Sequence, residues 1–191
     1  AVAKKIGQKA IVISSSTGGT LSLILGNDPQ IAALLMFSPN IEIYDPRSKL
    51  LTLPWGLQIA QLVLGSKYHI MNKITEQKKN YWTTRYRLEP TVELQKLLET
   101  GMRPEIFRRI TAPVFMGYYY KNQEEQDKVV SIPAMLNMFD QLGTSDSKKQ
   151  KMAFPDAGDH VITSGLSSSN HHQVERAARL FLQKQFNVEL N

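Results

Sequence analysis

The chain has no cysteine, which excludes disulfide bridges, thiolate nucleophiles and cysteine-held metals and leaves the compartment open. Histidine is scarce: His69, His160, His171 and His172 are the four present. None stands in His-x-x-x-His or Glu-x-x-His spacing, so neither a metal site nor a cofactor is expected. No Gly-Lys-Ser/Thr follows a glycine-rich turn, which argues against a nucleotide-binding loop. No apolar run reaches membrane-spanning length and no leader sequence is visible, so stable membrane insertion is not expected. Localisation stays open, with the cytoplasm as the default.

Charge is biased but not concentrated. Lysine and arginine outnumber aspartate and glutamate, 23 to 17, for a formal net charge of +6. The basic residues are scattered over Lys4-Lys5-Lys9, Lys73-Lys78-Lys79, Arg85-Arg87, Arg108-Arg109 and Lys148-Lys149-Lys151. No run of five or six with interleaved aromatics forms a nucleic-acid patch, so a solvated surface is expected. With 191 residues, 42% of them hydrophobic, the chain buries a good core and reads as one domain or less.

The most informative stretch is Ile11-Val12-Ile13-Ser14-Ser15-Ser16-Thr17-Gly18-Gly19-Thr20, an apolar strand running into a Ser/Gly turn. A short apolar helix from Thr20 to Leu25 follows and is closed by Gly26 and Asn27-Asp28-Pro29. Small residues two before, two after and three after a serine, between a strand and a helix, form a nucleophile elbow. The turn is tight enough that bulk at Ser14, Gly18 or Gly19 is expected to collide with its neighbours. In this register Ser16 is the nucleophile and the Thr17 backbone N–H is one oxyanion donor. A phosphate-type anion held at the Thr17 to Thr20 helix start is the competing reading of the same residues.

A serine nucleophile needs a base and an orienting acid, in the chain order Ser, Asp or Glu, His. His160 lies in a Gly-containing loop after a short strand around Gln150 to Phe154, where an imidazole can hang over a sheet edge. His171 and His172 open the last helix, and His69 falls in a polar segment read as helical. Pro113 to Tyr120 reads as a buried strand, followed by a loop carrying Asp127 and then by a helix capped at Ser131, with Met135, Leu136, Phe139 and Leu142 at helical spacing and Gly143 at its end. Asp127 ranks first as the acid, with Glu124, Glu125, Asp156 and Asp159 left as alternatives.

Together, Ser14-Ser15-Ser16-Thr17-Gly18-Gly19, the strand leading to the Asp127 loop, and Gly158-Asp159-His160-Val161 resemble the α/β-hydrolase superfamily. The wording is most similar to uncharacterised hydrolases of Bacteroidetes-type bacteria, though Ser15 stands where cysteine is expected. The resemblance extends over essentially the whole chain. It implies Ser16 as nucleophile, Asp127 as acid and His160 as base, acting on an ester or related acyl substrate, a small molecule, through an acyl-enzyme.

That resemblance also sets the fold expectation. The nucleophile of such enzymes follows the fifth strand of the sheet, yet here it is residue 16. The strands found (Ala10 to Ser14, Ile31 to Ser38, Pro113 to Tyr120 and about Gln150 to Phe154) correspond to strands five to eight. The expectation is therefore an α/β fold, a partial α/β-hydrolase spanning residues 1–191, with a parallel sheet flanked by helices. Strands one to four and the loop giving the second oxyanion N–H are not found, so the chain reads as the C-terminal part of a hydrolase. The strand before Ser16 then becomes a sheet edge, open to self-association near residues 10–15. A non-catalytic binding module that keeps the scaffold is the rival.

Residues 41–111 separate two core strands by far more than a crossover needs and are expected to form a helical cap. Helices are predicted over Leu57 to Gly65, over Glu76 to Arg87, and from a Thr91 N-cap to Gly101. Trp55, Tyr68, Tyr81, Trp82 and Tyr86 there, with Tyr118 and Tyr119 at the strand end beside the acid, are candidates to line a substrate pocket. The final helix places Val174, Ala177, Ala178, Phe181 and Leu182 on one face, as a helix packed on a sheet does.

Overall fold

A computed structural model describes residues 2–71 and 75–188. In chain order the elements are a single turn α1 (Ala3–Ile6), β1 (Ala10–Ser15), α2 (Thr17–Leu25), β2 (Ile31–Phe37), α3 (Gly56–Leu64), β3 (Tyr68–Ile70), α4 (Glu76–Lys79) and β4 (Arg85–Arg87). There follow α5 (Glu89–Gly101), α6 (Pro104–Arg108), β5 (Val114–Tyr118), α7 (Ile132–Asp140), β6 (Lys149–Ala153) and α8 (His171–Phe186).

The main sheet is parallel throughout, in the order β1-β2-β5-β6. Its central strands are apolar on both faces because helices cover both, as parallel sheets require. Leu34, Met36, Val114, Met116 and Tyr118 face one core with Leu23, Phe107, Met135, Met138 and Phe139. Leu35, Phe37 and Phe115 face the other with Phe154, Val174, Ala177, Ala178 and Phe181. The stripe read along the last helix is thus the face that α8 buries, and each such large apolar side chain stabilises the fold by roughly 1.5–3 kcal/mol.

Among the described residues β1 pairs with β2 alone, so it is an edge strand. Its outward alternation leaves Ile11 and Ile13 exposed.

The stretch between β2 and β5 differs from its helical expectation. Glu76 to Arg87 is one helical turn and then β4, which pairs antiparallel with β3 in the register Tyr68↔Arg87, His69↔Tyr86, Ile70↔Arg85. Ring contacts hold that pair: Arg85 lies 3.8 Å from the Tyr68 ring centroid and the His69 and Tyr86 rings are 5.0 Å apart. His69 is therefore on a strand, not a helix. Thr91 is not an N-cap; α5 begins two residues earlier, and the Thr91 hydroxyl donates to the Leu88 carbonyl. Leu98 and Phe107 are buried, and a Cβ on Gly101 would touch Ile24 of α2 at 3.2 Å. So α5 and α6 belong to the helical layer over the sheet. Residues 72–74 of this stretch, like Ala1 and residues 189–191, lie outside the described residues.

Candidate active site

Three loops at the same edge of the sheet, each following a parallel strand, build the site. Ser16 stands between β1 and α2 with φ 54 and ψ −123, a backbone state that costs a non-glycine residue about 1–3 kcal/mol and persists only where surroundings enforce it. Here the turn after β2 does so. The Ser16 N–H donates to the Phe37 carbonyl at 3.0 Å, and the Asn40 N–H donates to the Ser16 carbonyl at 3.0 Å. The fully buried Thr20 hydroxyl ties the same turn to α2 by donating to the Asn40 carbonyl at 2.5 Å.

The space around the two glycines is unequal. A Cβ on Gly19 would stand 2.5 Å from the Pro39 Cβ, whereas one on Gly18 would meet only the Ser14 Cβ at 3.5 Å, an ordinary contact. The expectation that bulk at either glycine collides is thus corrected: Gly19 is required and Gly18 is not. Helix α2 begins at Thr17 rather than Thr20, so the Thr17 N–H belongs to the first turn, whose donors have no partner within the helix.

Asp127 is placed by the loop after β5. That loop doubles back through Lys121 and Asn122 N–H bonds to the Glu125 carbonyl, and the Asp127 N–H donates to the Tyr119 carbonyl at 3.2 Å. The carboxylate is 1% exposed. Its Oδ1 accepts from the Val129 and Val130 N–H groups at 2.8 and 3.2 Å, and its Oδ2 lies 2.6 Å from His160 Nδ1. His160 comes from the loop after β6, which turns at Gly158 with φ 70. Its Nε2 lies 2.9 Å from Ser16 Oγ.

A buried carboxylate on Nδ1 selects the tautomer protonated there. Nε2 then has a free lone pair, and the Ser16 hydroxyl donates to it. Residues separated by 144 and 33 positions in the chain are thus aligned as hydroxyl, imidazole and carboxylate. The competing acids stand elsewhere. Glu125 pairs with Lys121 at 2.9 Å, Glu124 and Asp156 are exposed, and Asp159 pairs with Lys78 at 3.0 Å. His171 approaches the Ser168 carbonyl at 3.1 Å, and its ring meets that of His172 at a tilt of 39°. Among the described residues no group of three His, Asp or Glu gathers as a metal site would need.

A cavity of about 480 Å³ opens beside this array, lined by His160, Asp127 and Asp159 with Lys78, Trp82, Tyr119 and others. Ser16 is not on its wall. Trp82 and Tyr119, two of the aromatic candidates, are therefore placed at the site. Trp55 and Tyr118 are not. Trp55 precedes α3 with φ 65 and is 73% exposed, away from the cavity wall. Tyr118 points into the core among Met116, Val130 and Met135, where burial pushes its phenol up against an opposing pull from Lys151. Tyr81 is exposed, and Tyr68 and Tyr86 are used in the β3–β4 pair. Lys78, which the sequence reading did not assign to the site, and Asp159, there only an alternative acid, are on the cavity wall. Their separation of 81 positions left no local signal.

No family model matches the sequence, and no curated protein matches it by sequence. Solved structures do match by fold. A monoacylglycerol lipase of Paleococcus ferrophilus superposes with a TM-score of 0.66 at 15% identity, over 96% of this chain and 72% of that one. One of the metagenome-derived lipolytic enzymes LipS and LipT matches with a TM-score of 0.64 at 12% identity, over 91% of this chain and 66% of its own. The α/β hydrolase domain-containing protein 10 from mouse matches with a TM-score of 0.57 at 15% identity, over 93% and 63% respectively. The chain spans about two thirds of the length of these proteins.

Proposed function

We propose that this chain, which carries the α/β-hydrolase fold, is the part of a serine hydrolase that holds its catalytic Ser16, His160 and Asp127, acting on carboxylic esters or related acyl compounds. The observation that carries this reading is the continuous hydrogen-bonded line from Ser16 Oγ to His160 (2.9 Å) to a buried Asp127 (2.6 Å). In the reaction, His160 Nε2 takes the hydroxyl proton as Ser16 Oγ attacks the acyl carbonyl, while Asp127 stabilises the imidazolium formed. The Thr17 N–H faces the developing oxyanion at the start of α2. Imidazolium returns the proton to the leaving alcohol, and water activated by the same nitrogen releases the acid from the acyl-enzyme.

A second oxyanion donor, from outside the described residues, would complete the site. Loss of one such donor costs about 100- to 1000-fold in rate, so covalent trapping is a more sensitive readout here than turnover. The cavity beside His160, with Trp82 and Tyr119 on its wall, is the proposed contact for part of the substrate, and the segment before residue 88 is its cap. The neighbours that are lipases and esterases agree with this chemistry at the level of fold, which by itself does not fix activity.

The test is labelling with a fluorophosphonate probe, read by intact mass and peptide mapping. A single adduct on Ser16, absent in Ser16→Ala, is the expected outcome. A folded chain that takes no label, alone or extended upstream, would favour a binding module that keeps only the scaffold.

A further inference from the structure

Asp159 uses its two carboxylate oxygens on two different parts of the chain. Oδ1 accepts from the Val161 N–H at 2.8 Å, closing an Asx-type turn around the neighbouring His160. Oδ2 accepts from Lys78 Nζ at 3.0 Å. Lys78 lies on α4, a single turn capped by Thr75, whose hydroxyl accepts from the Lys78 N–H. Its ammonium stands 6.0 Å from the Trp82 ring centroid, and Lys78, Trp82, Asp159 and His160 all line the same cavity.

Two features mark this ion pair. Its side chains are 21% and 30% exposed, against 53% and 71% for Lys96 and Glu93, so solvent and salt screen it less. Among the described residues, no other hydrogen bond joins residues 53–88 to the loop after β6.

We propose that Lys78 is a positioning residue. Through Asp159 it fixes the wall that carries Trp82 against the loop of the catalytic base, and so sets the width of the substrate cavity. One carboxylate thereby couples the proposed cap to His160. The consequence for substrate rests on the hydrolase reading; the coupling itself does not.

The experiment uses the two tryptophans of the chain. With Trp55→Phe as background, Trp82 is the sole tryptophan and reports on the wall. Lys78→Met removes the cation at similar length. Asp159→Asn keeps an oxygen for the Val161 N–H while removing the charge that binds Lys78. Each variant is expected to raise acrylamide quenching of Trp82 about two-fold, and the double variant no further, because a shared interaction is lost once. On ester substrates the same variants raise KM about five-fold and leave kcat within about two-fold, as loss of binding without loss of chemistry requires. Quenching unchanged in both single variants, or effects that add in the double, overturns the coupling, and it does so whether or not the chain turns over esters. Absent fluorophosphonate labelling of Ser16 with the expected quenching pattern would count against the hydrolase reading alone.

Discussion

Gly19 and Pro39 stand so close that a Cβ on the glycine would lie 2.5 Å from the proline Cβ and 2.9 Å from its Cα. The helix that follows Ser16 is therefore pressed onto the turn that follows β2. The same turn receives Ser16 and Thr20 hydrogen bonds through Phe37 and Asn40. The elbow is held in its positive-φ state by a neighbouring strand's loop.

Gly19→Ala is accordingly expected to lose about 1–3 kcal/mol, the cost of overpacking a close contact. Gly18→Ala, inside α2 with room for a methyl group, is expected to be neutral or to gain up to about 1 kcal/mol from helix propensity. Urea unfolding of the two variants reads the difference, and equal losses would show that the clamp at Pro39 is not what selects glycine.

The folding role of Asp127 and its proposed part in the chemistry are expected to separate by substitution. Asp127→Ala leaves the Val129 and Val130 N–H groups without their acceptor, at about 1–3 kcal/mol for the buried Val130 donor and less for the half-exposed Val129. Asp127→Asn keeps an oxygen for those donors but presents an amide to His160 and favours the wrong tautomer. It is expected to slow Ser16 labelling on the order of 10⁴-fold with a smaller loss in denaturant midpoint. Similar labelling rates for Asp127→Asn and the parent would remove Asp127 from the mechanism.

Thr20→Val is isosteric and removes one buried hydrogen bond, that to the Asn40 carbonyl. About 1–3 kcal/mol of stability should go with it. Because that bond ties the clamp to α2, probe labelling of Ser16 should slow as well. A stability loss with labelling unchanged would limit Thr20 to a packing role.

The pH dependence of one surface pair is also fixed. Hydrogen bonding from Arg87 holds the Glu89 carboxyl at about 2, below its ordinary value. A depressed acid contributes stability above its unfolded pKa, about 4.3. That contribution is lost as pH falls from there through the folded value. Carboxyl carbon NMR should find Glu89 titrating at the bottom of that window in the parent and near its ordinary value in Arg87→Met. No movement in the variant would mean the pair does not form in solution.

Much of the site was legible locally because local rules write it. An apolar strand, a serine among small residues and an apolar helix occupy consecutive positions, and Ser131 capping α7 through the Ala134 N–H follows the same kind of rule. The β3–β4 pair was misread as helix, although Trp82-Thr83-Thr84-Arg85-Tyr86-Arg87 is rich in strand formers. Its pairing partner lies more than a dozen residues upstream, beyond any single window. Trp55 and Tyr118 were candidates as aromatics near the right elements. Only the side on which each ring falls separates them from Trp82 and Tyr119, and along a strand that side reverses at every residue.

The sequence by itself determined the tight Ser/Gly turn, the continuous apolar runs that bury both faces of β2 and β5, and the residue types that the proposed serine hydrolysis needs, since each depends on neighbours a few positions away. Tertiary structure alone decided that Asp127, and not Glu125 or Asp159, meets His160. It also decided that Pro39 and Asn40 hold Ser16 in place and that Lys78 reaches Asp159 across 81 residues. Those choices rest on distances between strand ends, which the register of a parallel sheet sets and no local stretch of the chain encodes.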